Sequence, residues 1–387
     1  MSQPQVDYAA LREAMRGLCR RYPDSYWREL DRDGGYPDEF VNAMTESGYL
    51  AALIPENYGG SGLGIAEASV ILEEINRSGG NAAVCHAQMY IMGSLLRHGS
   101  QAQKEYYLPR IASGDLRLQA FGVTEPDAGT DTLSIRTTAS AEGEGFRVNG
   151  QKIWTSRARQ SDLMLLLART TPADQVDKRS HGLSLFLFDL RQAVDDGQVE
   201  IRPIQAMINH HSTQVFFHDL MLPGDALIGE AGKGFKYILD GMNAERILIA
   251  AESIGDGYWF VERARNYASE RRVFGRAIGA NQGIQFPIAR AYADLRAADL
   301  MRFEAATLFD AGQACGAEAN MAKLLAADAA WDLANAALQT HGGFGFATEY
   351  DIERKFRETR LYQVAPVSTN MILSYLAQHV LGMPRSY

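Results

Sequence analysis

The hydrophobic spacing of the sequence changes twice, and this change constrains the fold more than any other feature. Up to about residue 118 apolar residues recur at helical spacing, as in IAEASVILEEIN at 65–76. From about 119 to 230 they form short runs rich in Val, Ile, Phe and Leu, such as LMLLLA at 163–168, which predict strands of a compact antiparallel unit. Helical spacing then returns. The sequence therefore predicts helices, a small sheet and helices again.

Four long apolar segments after residue 231 predict a four-helix bundle. They lie at 235–254, 284–309, 318–339 and 368–380. In the third segment Met321, Leu324, Leu325 and Ala329 share one helical face. The expected domains are an N-terminal helical domain at 1–118, a middle antiparallel β domain at 119–230 and a C-terminal helical bundle at 231–387, an α+β chain.

Composition excludes several classes of protein. The three cysteines are far apart and form no CxxC, so neither a disulfide framework nor a cysteine zinc site is expected. The formal charge of −9 argues against nucleic-acid binding. No apolar run approaches the roughly 18 residues of a membrane helix, and the N-terminus lacks a secretory signal. We expect a cytoplasmic protein that binds no nucleic acid and no membrane.

The absence of two nucleotide-binding motifs narrows the enzyme class. There is no βαβ alternation, no GxGxxG after a strand and no GxxxxGK[ST]. A nicotinamide enzyme on a Rossmann fold and a P-loop ATPase are therefore both poorly supported.

Four stretches could carry chemistry, and each has a structural alternative. AFGVTEPDAGTDT at 120–132 is either a domain linker or a polar wall against a flat ligand. In NGQKIWTSRA at 149–158, Asn149-Gly150 predicts a hairpin turn, and Trp154 is either a core residue or the cover of an aromatic ring system. Arginines beside Phe-Gly at 269–286 form either a solvated face or a phosphate site. QTHGGFGF at 339–346 either ends a helix or lets backbone approach a ligand.

Together, and in this order, the four stretches resemble the acyl-CoA dehydrogenase family. The family's "TEPgAGSD" is similar to residues 124–131, and its "NGxKxWxTx" to residues 149–157. Its "RxxFGxxIxxxQ" matches Arg271, Phe274, Gly275, Ile278 and Gln282, and its "QxxGGxGF" matches Gln339, Gly342, Gly343, Gly345 and Phe346. The resemblance covers nearly the whole chain and is specific for fold and cofactor, less so for substrate.

The resemblance implies an FAD site shared between subunits of a tetramer. Val123 and Thr124 would lie against the pyrimidine side of the flavin, and Trp154 and Ser156 near its N5 edge. The remaining cofactor contacts implied are Arg271, Phe274, Gln282, Gln339, Gly343 and Ser368. The acyl-CoA contacts implied are Thr130, at a family Ser position beside the pantetheine chain, with Asn243 and Arg246.

Two departures from the family pattern bear on the chemistry. Where the family has "GxRxSxT", residues 207–213 read MINHHST, and only Thr213 survives. The spacing of His210, His211 and His218 fits no metal motif, so no metal is expected. Pro366 occupies the position of the family's usual catalytic Glu, and because proline has no N–H, one oxyanion donor of the family is missing as well.

Some family members, such as the isovaleryl-CoA and long-chain dehydrogenases, carry the base on the first long C-terminal helix, as Glu immediately before Arg. Glu245-Arg246 stands at that position. A solvated Glu is the alternative, but the reaction needs a carboxylate base. We therefore expect Glu245 to be the base of an FAD-dependent α,β-desaturation of an acyl-CoA.

The expected partners are an acyl-CoA substrate, an electron-transfer flavoprotein as acceptor, and further copies of the chain in a homotetramer, with a homodimer as the alternative. Pro366 keeps other outcomes open: an oxidase, an enoyl thioester reductase, or an enzyme acting on an acyl carrier protein. A helical protein that binds flavin or acyl-CoA without turnover is a further alternative. Moving the base to residue 245 frees the wall around residues 365–366, so we expect a branched or bulky acyl group.

Overall fold

A computed structural model describes residues 8–385, which form two compact units built from separate stretches of the chain. Unit 1 is the described part of Met1–Phe40, Gly64–Ala83 and Asn243–Tyr387, and unit 2 is Val41–Leu63 and Val84–Met242. Among the described residues no helix is both long and apolar enough to cross a membrane.

The elements follow the order that the sequence predicts, with helices first, then the strands of the sheet, and then helices again. The helices are α1 (Ala9–Cys19), α2 (Asp24–Asp33), α3 (Asp38–Glu46), α4 (Ile65–Arg77), α5 (Ala83–His98), α6 (Gln101–Ser113), α7 (Leu190–Asp195), α8 (Gly234–Glu270), α9 (Gln282–Asp310), α10 (Gly316–His341), α11 (Ile352–Val364) and α12 (Thr369–Tyr375). The strands are β1 (Leu118–Gly122), β2 (Thr138–Glu142), β3 (Gly145–Ser156), β4 (Leu163–Arg169), β5 (Leu183–Asp189), β6 (Val199–Pro203), β7 (Ser212–Leu222), β8 (Leu227–Ile228), β9 (Arg272–Val273) and β10 (Arg276–Ala277).

Unit 1 contains the C-terminal helices, but its fourth long helix differs from the prediction. The sequence predicts it at 368–380, where α12 is short and continues as a π-helical turn, Leu376–Val380. The fourth helix is α11, which packs on α10. The inward side chains of α11 are largely polar, and Lys355 makes an ion pair of 2.6 Å with Asp256 of α8. An ionic interior leaves no hydrophobic period in the sequence.

The buried face of α10 is also not the apolar stripe read from the sequence. Leu325 is 41% exposed. The buried side chains are mostly alanines, together with Lys323. Small residues allow α9 to approach closely, because interhelical distance depends on the side chains at the contact. Of the predicted stripe, Ala329 is buried, Met321 and Leu324 are half-buried and Leu325 is exposed.

Unit 2 is built on an eight-stranded sheet in the order β6–β7–β3–β2–β4–β5–β8, with β1 paired to β4. Most pairs are antiparallel, as predicted, but β1 and β2 each pair with β4 in parallel. Parallel neighbours need a crossover, and the β2–β3 hairpin with the chain that follows it supplies this connection. The sheet is therefore mixed rather than purely antiparallel.

The apolar runs of β4 and β5 are continuous because both faces of these strands are covered. Leu163, Leu165 and Leu167 pack into a cluster that includes residues of α5 and α6. Met164 and Leu166 point into a second cluster, with residues of β3 and β7. Strands buried on both faces show uninterrupted hydrophobicity rather than alternation.

The predicted hairpin turn at Asn149-Gly150 is wrong. Both residues lie inside β3, at a bulge opposite β7. The Asn149 amide donates to the Asp219 carboxylate (2.9 Å) and accepts from the Asp219 backbone N–H (2.9 Å). Gly150 has φ 141°, and a Cβ there would lie 2.7 Å from Thr137 Cα. The dipeptide therefore serves a close backbone approach, and the β2–β3 turn lies at Gly143.

Candidate functional site

In unit 2 the loop after β1 lies directly beside the end of β3. The backbone N–H of Ile153 donates to Thr124 O at 2.9 Å. The buried Lys152 ammonium donates to Val123 O at 3.1 Å. Lys152, Ile153 and Trp154 are consecutive residues of β3. The structure thus places Val123 and Thr124, the predicted flavin contacts, next to Trp154. Thr130, the predicted pantetheine contact, lies farther along this loop and is exposed.

An ion pair between Glu125 of this loop and Lys152 of β3 fixes the loop to the strand. Glu125 accepts from Lys152 Nζ (2.8 Å) and from the backbone N–H groups of Arg136 (2.6 Å) and Thr137 (2.9 Å). Burial opposes charge on Glu125, but Lys152 and the amides outweigh it and lower the pKa of Glu125. Burial lowers the pKa of Lys152 to about 8, against the opposing effect of Glu125. Glu125, for which the sequence allows either a linker or a ligand wall, thus has a structural role.

Trp154 is not a core residue. It is 55% exposed and has φ 60°, at a bulge between Ile153 and Thr155. A left-handed backbone is unusual for a bulky side chain, and such conformations cluster at functional sites. Ser156 follows at the end of β3 and is half-buried. An exposed indole on a strained strand end offers a flat surface to a ring system.

A buried arginine and a histidine stand beside this strand end. Arg157, 3% exposed, has φ 55° and donates its backbone N–H to His211 O at 2.8 Å. Its guanidinium lies 3.3 Å from His210 Nδ1. Burial, and then the Arg157 charge, hold the pKa of His210 well below its usual value. Within residues 8–385 no group of three potential metal ligands occurs.

In unit 1 the predicted base lies near the start of the α8 segment that belongs to this unit. Glu245 is 6% exposed. Asn243 accepts a hydrogen bond of 2.9 Å from Arg246 Nη1, so the two predicted acyl-CoA contacts are themselves paired. Burial lowers the pKa of Arg246, and the negative charge of Glu245 opposes this.

A second buried cation lies close to Glu245. Lys323 of α10 is fully buried and donates from Nζ to Val367 O at 2.8 Å. Burial lowers the pKa of Lys323 to about 8; the charges of Asp328 and Glu245 oppose this, and that of Arg246 adds to it. Val367 separates Pro366 from Ser368, so Lys323 fixes the segment that carries both of these residues.

An apolar cluster explains why these groups lie at one level of the helices. Ile249 of α8, Ala327 of α10 and Tyr362 of α11 form one buried cluster. Glu245 and Lys323 each precede their cluster residue by four positions, so each lies on the same helix face, one turn away. Segment 365–368 follows Tyr362 closely along the chain. The packing of three helices therefore gathers the carboxylate, the lysine and this segment.

Farther along unit 1, the predicted phosphate-binding stretch forms an exposed hairpin. Strands β9 and β10 are joined by Phe274 (φ 50°) and Gly275 (φ 81°), the pattern of a type I′ turn. Phe274 is 100% exposed. The Arg271 guanidinium lies 5.9 Å from the centre of the Phe344 ring. The structure thus brings two distant motifs of the sequence, at 269–286 and 339–346, together.

Gln339 and the start of α9 border a groove between α9 and α10. The groove has a volume of about 380 Å³ and is lined by Gly283, Pro287, Asn335 and Gln339, among others. Gln282, the first residue of α9, precedes this lining. A Cβ added at Gly342 or Gly343 would meet no atom of the described residues within 4 Å. The side-chain amides of Asn335 and Gln339 in the groove are hydrogen-bond donors, and the backbone at Gly342 and Gly343 is open to close approach by a ligand.

Sequence reasoning missed the cationic residues that organise both units. Lys152 lies on a strand with both polar and apolar residues, and Lys323 lies on an alanine-rich helix. From the sequence, each lysine therefore looks like a surface residue. A charged residue at a position where the periodicity points inward is the signal that would have found them. The pairing of Arg157 with His210 has no local signal, because the residues are far apart in sequence.

Comparison with known proteins agrees with these features. Models of the acyl-CoA dehydrogenase N-terminal, middle and C-terminal domains match residues 6–115, 120–220 and 232–381. Acyl-CoA dehydrogenase FadE12 of Mycobacterium tuberculosis is 34% identical over 98% of this chain and 97% of its own length. Cyclohex-1-ene-1-carbonyl-CoA dehydrogenase of Syntrophus aciditrophicus is 32% identical over 99% and 92%.

A solved structure gives the same result. The glutaryl-coenzyme A dehydrogenase structure with glutaryl-CoA has a TM-score of 0.90 and 28% identity, covering 100% of this chain and 98% of that one. The helical N-terminal region, middle sheet and helical C-terminal region are those of the fold predicted from the sequence. The chain belongs to the acyl-CoA dehydrogenase family, whose members are oxidoreductases that use FAD and act on acyl-CoA thioesters.

Proposed function

We propose that this protein catalyses the α,β-desaturation of an acyl-CoA, with Glu245 removing the α-proton. The single observation that carries this proposal is the location of Glu245: a buried carboxylate on α8, in a chain whose residue 366 is proline. A general base must be a group that can accept a proton, and proline cannot. FAD, when bound, supplies the acceptor for the β-hydride.

The surroundings of Glu245 suit this role. Glu245 interacts electrostatically with two cations, Arg246 and Lys323, that are themselves largely withdrawn from water. Cations near a carboxylate favour its charged form, which is the form that accepts a proton. The Asn243 amide orients Arg246 through the 2.9 Å hydrogen bond. Burial keeps water from competing for the proton.

We propose that the cofactor contacts are those implied by the resemblance. In unit 2, Val123, Thr124, Trp154 and Ser156 are adjacent, and the exposed indole would cover the flavin ring. In unit 1, Arg271, Phe274, Gln282, Gln339 and Gly343 lie on exposed or groove-lining surface, and Ser368 immediately precedes α12. The buried Thr155 hydroxyl has no hydrogen-bond partner within residues 8–385, which suits a neighbouring polar ligand.

Assembly into a homotetramer is part of the proposal, along with domains at 1–118, 119–230 and 231–387. Large apolar side chains are exposed along unit 1, such as Phe286 (59%), Leu300 (65%) and Phe346 (74%). Burial of these side chains against further copies of the chain would remove apolar surface from water. Sizing by light scattering should give four chains, with two as the alternative. A monomer that retains FAD would contradict the shared site.

The substrate that we propose is a branched or bulky acyl-CoA, and the proposed electron acceptor is an electron-transfer flavoprotein. The small Ala365 and the rigid Pro366 stand where a catalytic Glu side chain would otherwise occupy space. Isovaleryl-CoA or a long-chain acyl-CoA should therefore reduce the enzyme faster than butyryl-CoA. A preference for butyryl-CoA would contradict this.

The activity itself is tested by anaerobic titration of the FAD-loaded enzyme with a panel of acyl-CoAs. Bleaching of the flavin absorbance by one of them is the expected result. A flavin that responds to none of the panel would contradict dehydrogenation. Pro366, which removes a backbone donor to the thioester carbonyl, keeps open a second candidate, an acyl thioester oxidase. Rapid peroxide formation in air during turnover would identify the oxidase.

A further inference from the structure

The ammonium group of Lys323 is buried, although a lysine is ordinarily a surface residue. Its side chain is fully buried, and within residues 8–385 no carboxylate lies within the 4 Å of an ion pair. Buried charges are normally paired because their removal from water is costly. The partner that the structure gives to Lys323 is a backbone carbonyl, Val367 O, at 2.8 Å. The Lys323 charge is therefore balanced by a backbone carbonyl and by carboxylates beyond ion-pair distance, Asp328 and Glu245.

The carbonyl that Lys323 holds belongs to the segment of Pro366, the residue at the position of the family's usual catalytic Glu. Residues 365–368 join α11 to α12 and are half-buried. An uncharged side chain makes a second connection next to the segment. The Gln363 amide donates to the Asp328 carboxylate at 3.0 Å, and the Thr369 hydroxyl donates to Gln363 O at 3.3 Å. The segment is thus tied to α10 at two levels, once by a charge and once by an amide.

The charges that act on Lys323 come from two helices. On its own helix, α10, the group is Asp328; on α8 the groups are Glu245 and Arg246. The interaction with Glu245 is reciprocal, so the charge on Lys323 stabilises a negative charge on Glu245. Burial lowers the pKa of Lys323 to about 8, so this charge is present at neutral pH and is lost in mildly alkaline solution.

We propose that Lys323 is a positioning residue for the desaturation: it holds segment 365–368 through the Val367 carbonyl, and its charge favours the carboxylate form of Glu245. The second half of this inference rests on the proposed function of Glu245. The first half does not, because the Val367 contact is a feature of the resting protein. The two halves can therefore be tested separately.

Three variants of the FAD-loaded protein separate the clamp from the charge. Lys323→Met removes both the donor and the charge, and Lys323→Arg keeps both. Gln363→Leu is the matched control, because it releases the neighbouring tether without removing a charge. Hydrogen exchange measured by mass spectrometry follows the amides of residues 367–372 in the resting protein. We expect exchange at least about tenfold faster in Lys323→Met and near the parent rate in Lys323→Arg.

The pH dependence of flavin bleaching by acyl-CoA tests the charge. Loss of a nearby cation makes the carboxylate harder to ionise, so the acidic limb of the profile should move to higher pH by about one unit in Lys323→Met. It should not move in Lys323→Arg or in Gln363→Leu. If Gln363→Leu moves the limb equally, the effect is structural and the charge role is wrong.

Parent-like exchange in Lys323→Met would overturn the clamp, whatever the activity shows. If Lys323→Met does not fold, the parent and Lys323→Arg still test the charge role. The pH profile of flavin bleaching in the parent should show an additional transition near pH 8, where Lys323 loses its charge, and Lys323→Arg should lack it. The same transition in both proteins would overturn the proposal. Loss of the proposed function would appear differently, as full activity in a Glu245 variant with the exchange results unchanged.

Discussion

Two buried lysines, one in each unit, hold a loop by a backbone carbonyl, and they differ in their remaining partners. Lys152 binds Val123 O and also the Glu125 carboxylate at 2.8 Å. Lys323 binds Val367 O without an ion pair among residues 8–385. Burial lowers the pKa of both lysines to about 8, so the difference lies in the neighbours rather than in the lysines.

The comparison teaches how a buried charge relates to function. The Lys152 charge is used locally, because Glu125 binds it together with the amides of Arg136 and Thr137. Such a closed network fixes a loop and leaves nothing to act elsewhere. Lys323 has no ion pair among residues 8–385, and its charge interacts with two carboxylates, Asp328 of its own helix and Glu245 of α8, which we propose as the base. The first site is a structural support and the second belongs to the chemistry.

The largest stability effect that this comparison predicts is for Lys152→Met. Removing one partner of a buried ion pair leaves the other charge unpaired, at a cost of about 3–5 kcal/mol. Lys323→Met loses one hydrogen bond between a charged group and a carbonyl, which costs about 1.5–3 kcal/mol. Urea unfolding of both variants measures the difference. The double variant Lys152→Met with Glu125→Gln is the control and should recover part of the loss. Equal costs for the two lysines would break the comparison.

A smaller effect is expected for an exposed cation. Arg271→Ala should weaken FAD retention by about 1.5–3 kcal/mol, the range of a hydrogen bond to a charged group, without lowering the unfolding free energy of the FAD-free protein. Arg272→Ala, the adjacent exposed arginine on β9, is the matched control. Fluorescence titration of the FAD-free protein with FAD gives both affinities. Equal losses in the two variants would show that Arg271 is not a specific contact.

The smallest effect is a change in the pH dependence of stability. The pKa of Lys323 is about 8 in the folded protein, against 10.5 for an ordinary lysine. Between these values the unfolded chain binds more protons, so stability rises with pH. The rise from about pH 8 to about pH 9.5 should be smaller in Lys323→Met than in the parent, as measured by urea unfolding. An unchanged slope would place the Lys323 pKa outside this window.

Much of the fold could be predicted from the sequence, because its strongest signals are periodic. The sequence predicts a helix at 65–76, where α4 spans Ile65–Arg77, and a strand at 163–168, where β4 spans Leu163–Arg169. The errors arise where a tertiary contact replaces the local rule. Asn149-Gly150 has turn chemistry but pairs with Asp219 of β7. Helix α11 buries ionic groups, which hydrophobic periodicity cannot reveal.

The candidate site was only partly predictable, for a similar reason. The motifs located residues along the chain, and the structure shows Thr124 beside Ile153 and Arg271 beside Phe344. The exposure of Trp154 follows from its backbone φ at a strand bulge, which a sequence pattern does not encode. Lys323 owes its importance to groups on α8 and in segment 365–368, and no local signal connects these.

The central claim is that Glu245 is the base, and stopped-flow reduction of the FAD-loaded Glu245→Gln enzyme by its best acyl-CoA tests it most directly. The substitution keeps the shape of the side chain and removes the proton acceptor. Glu262→Gln, which changes an exposed carboxylate of the same helix, is the matched control. We predict that Glu245→Gln retains FAD and binds acyl-CoA but reduces its flavin about 10²–10⁴-fold more slowly, while Glu262→Gln reacts at the parent rate. Reduction of Glu245→Gln within about threefold of the parent, less than about 1 kcal/mol of barrier, would contradict the account.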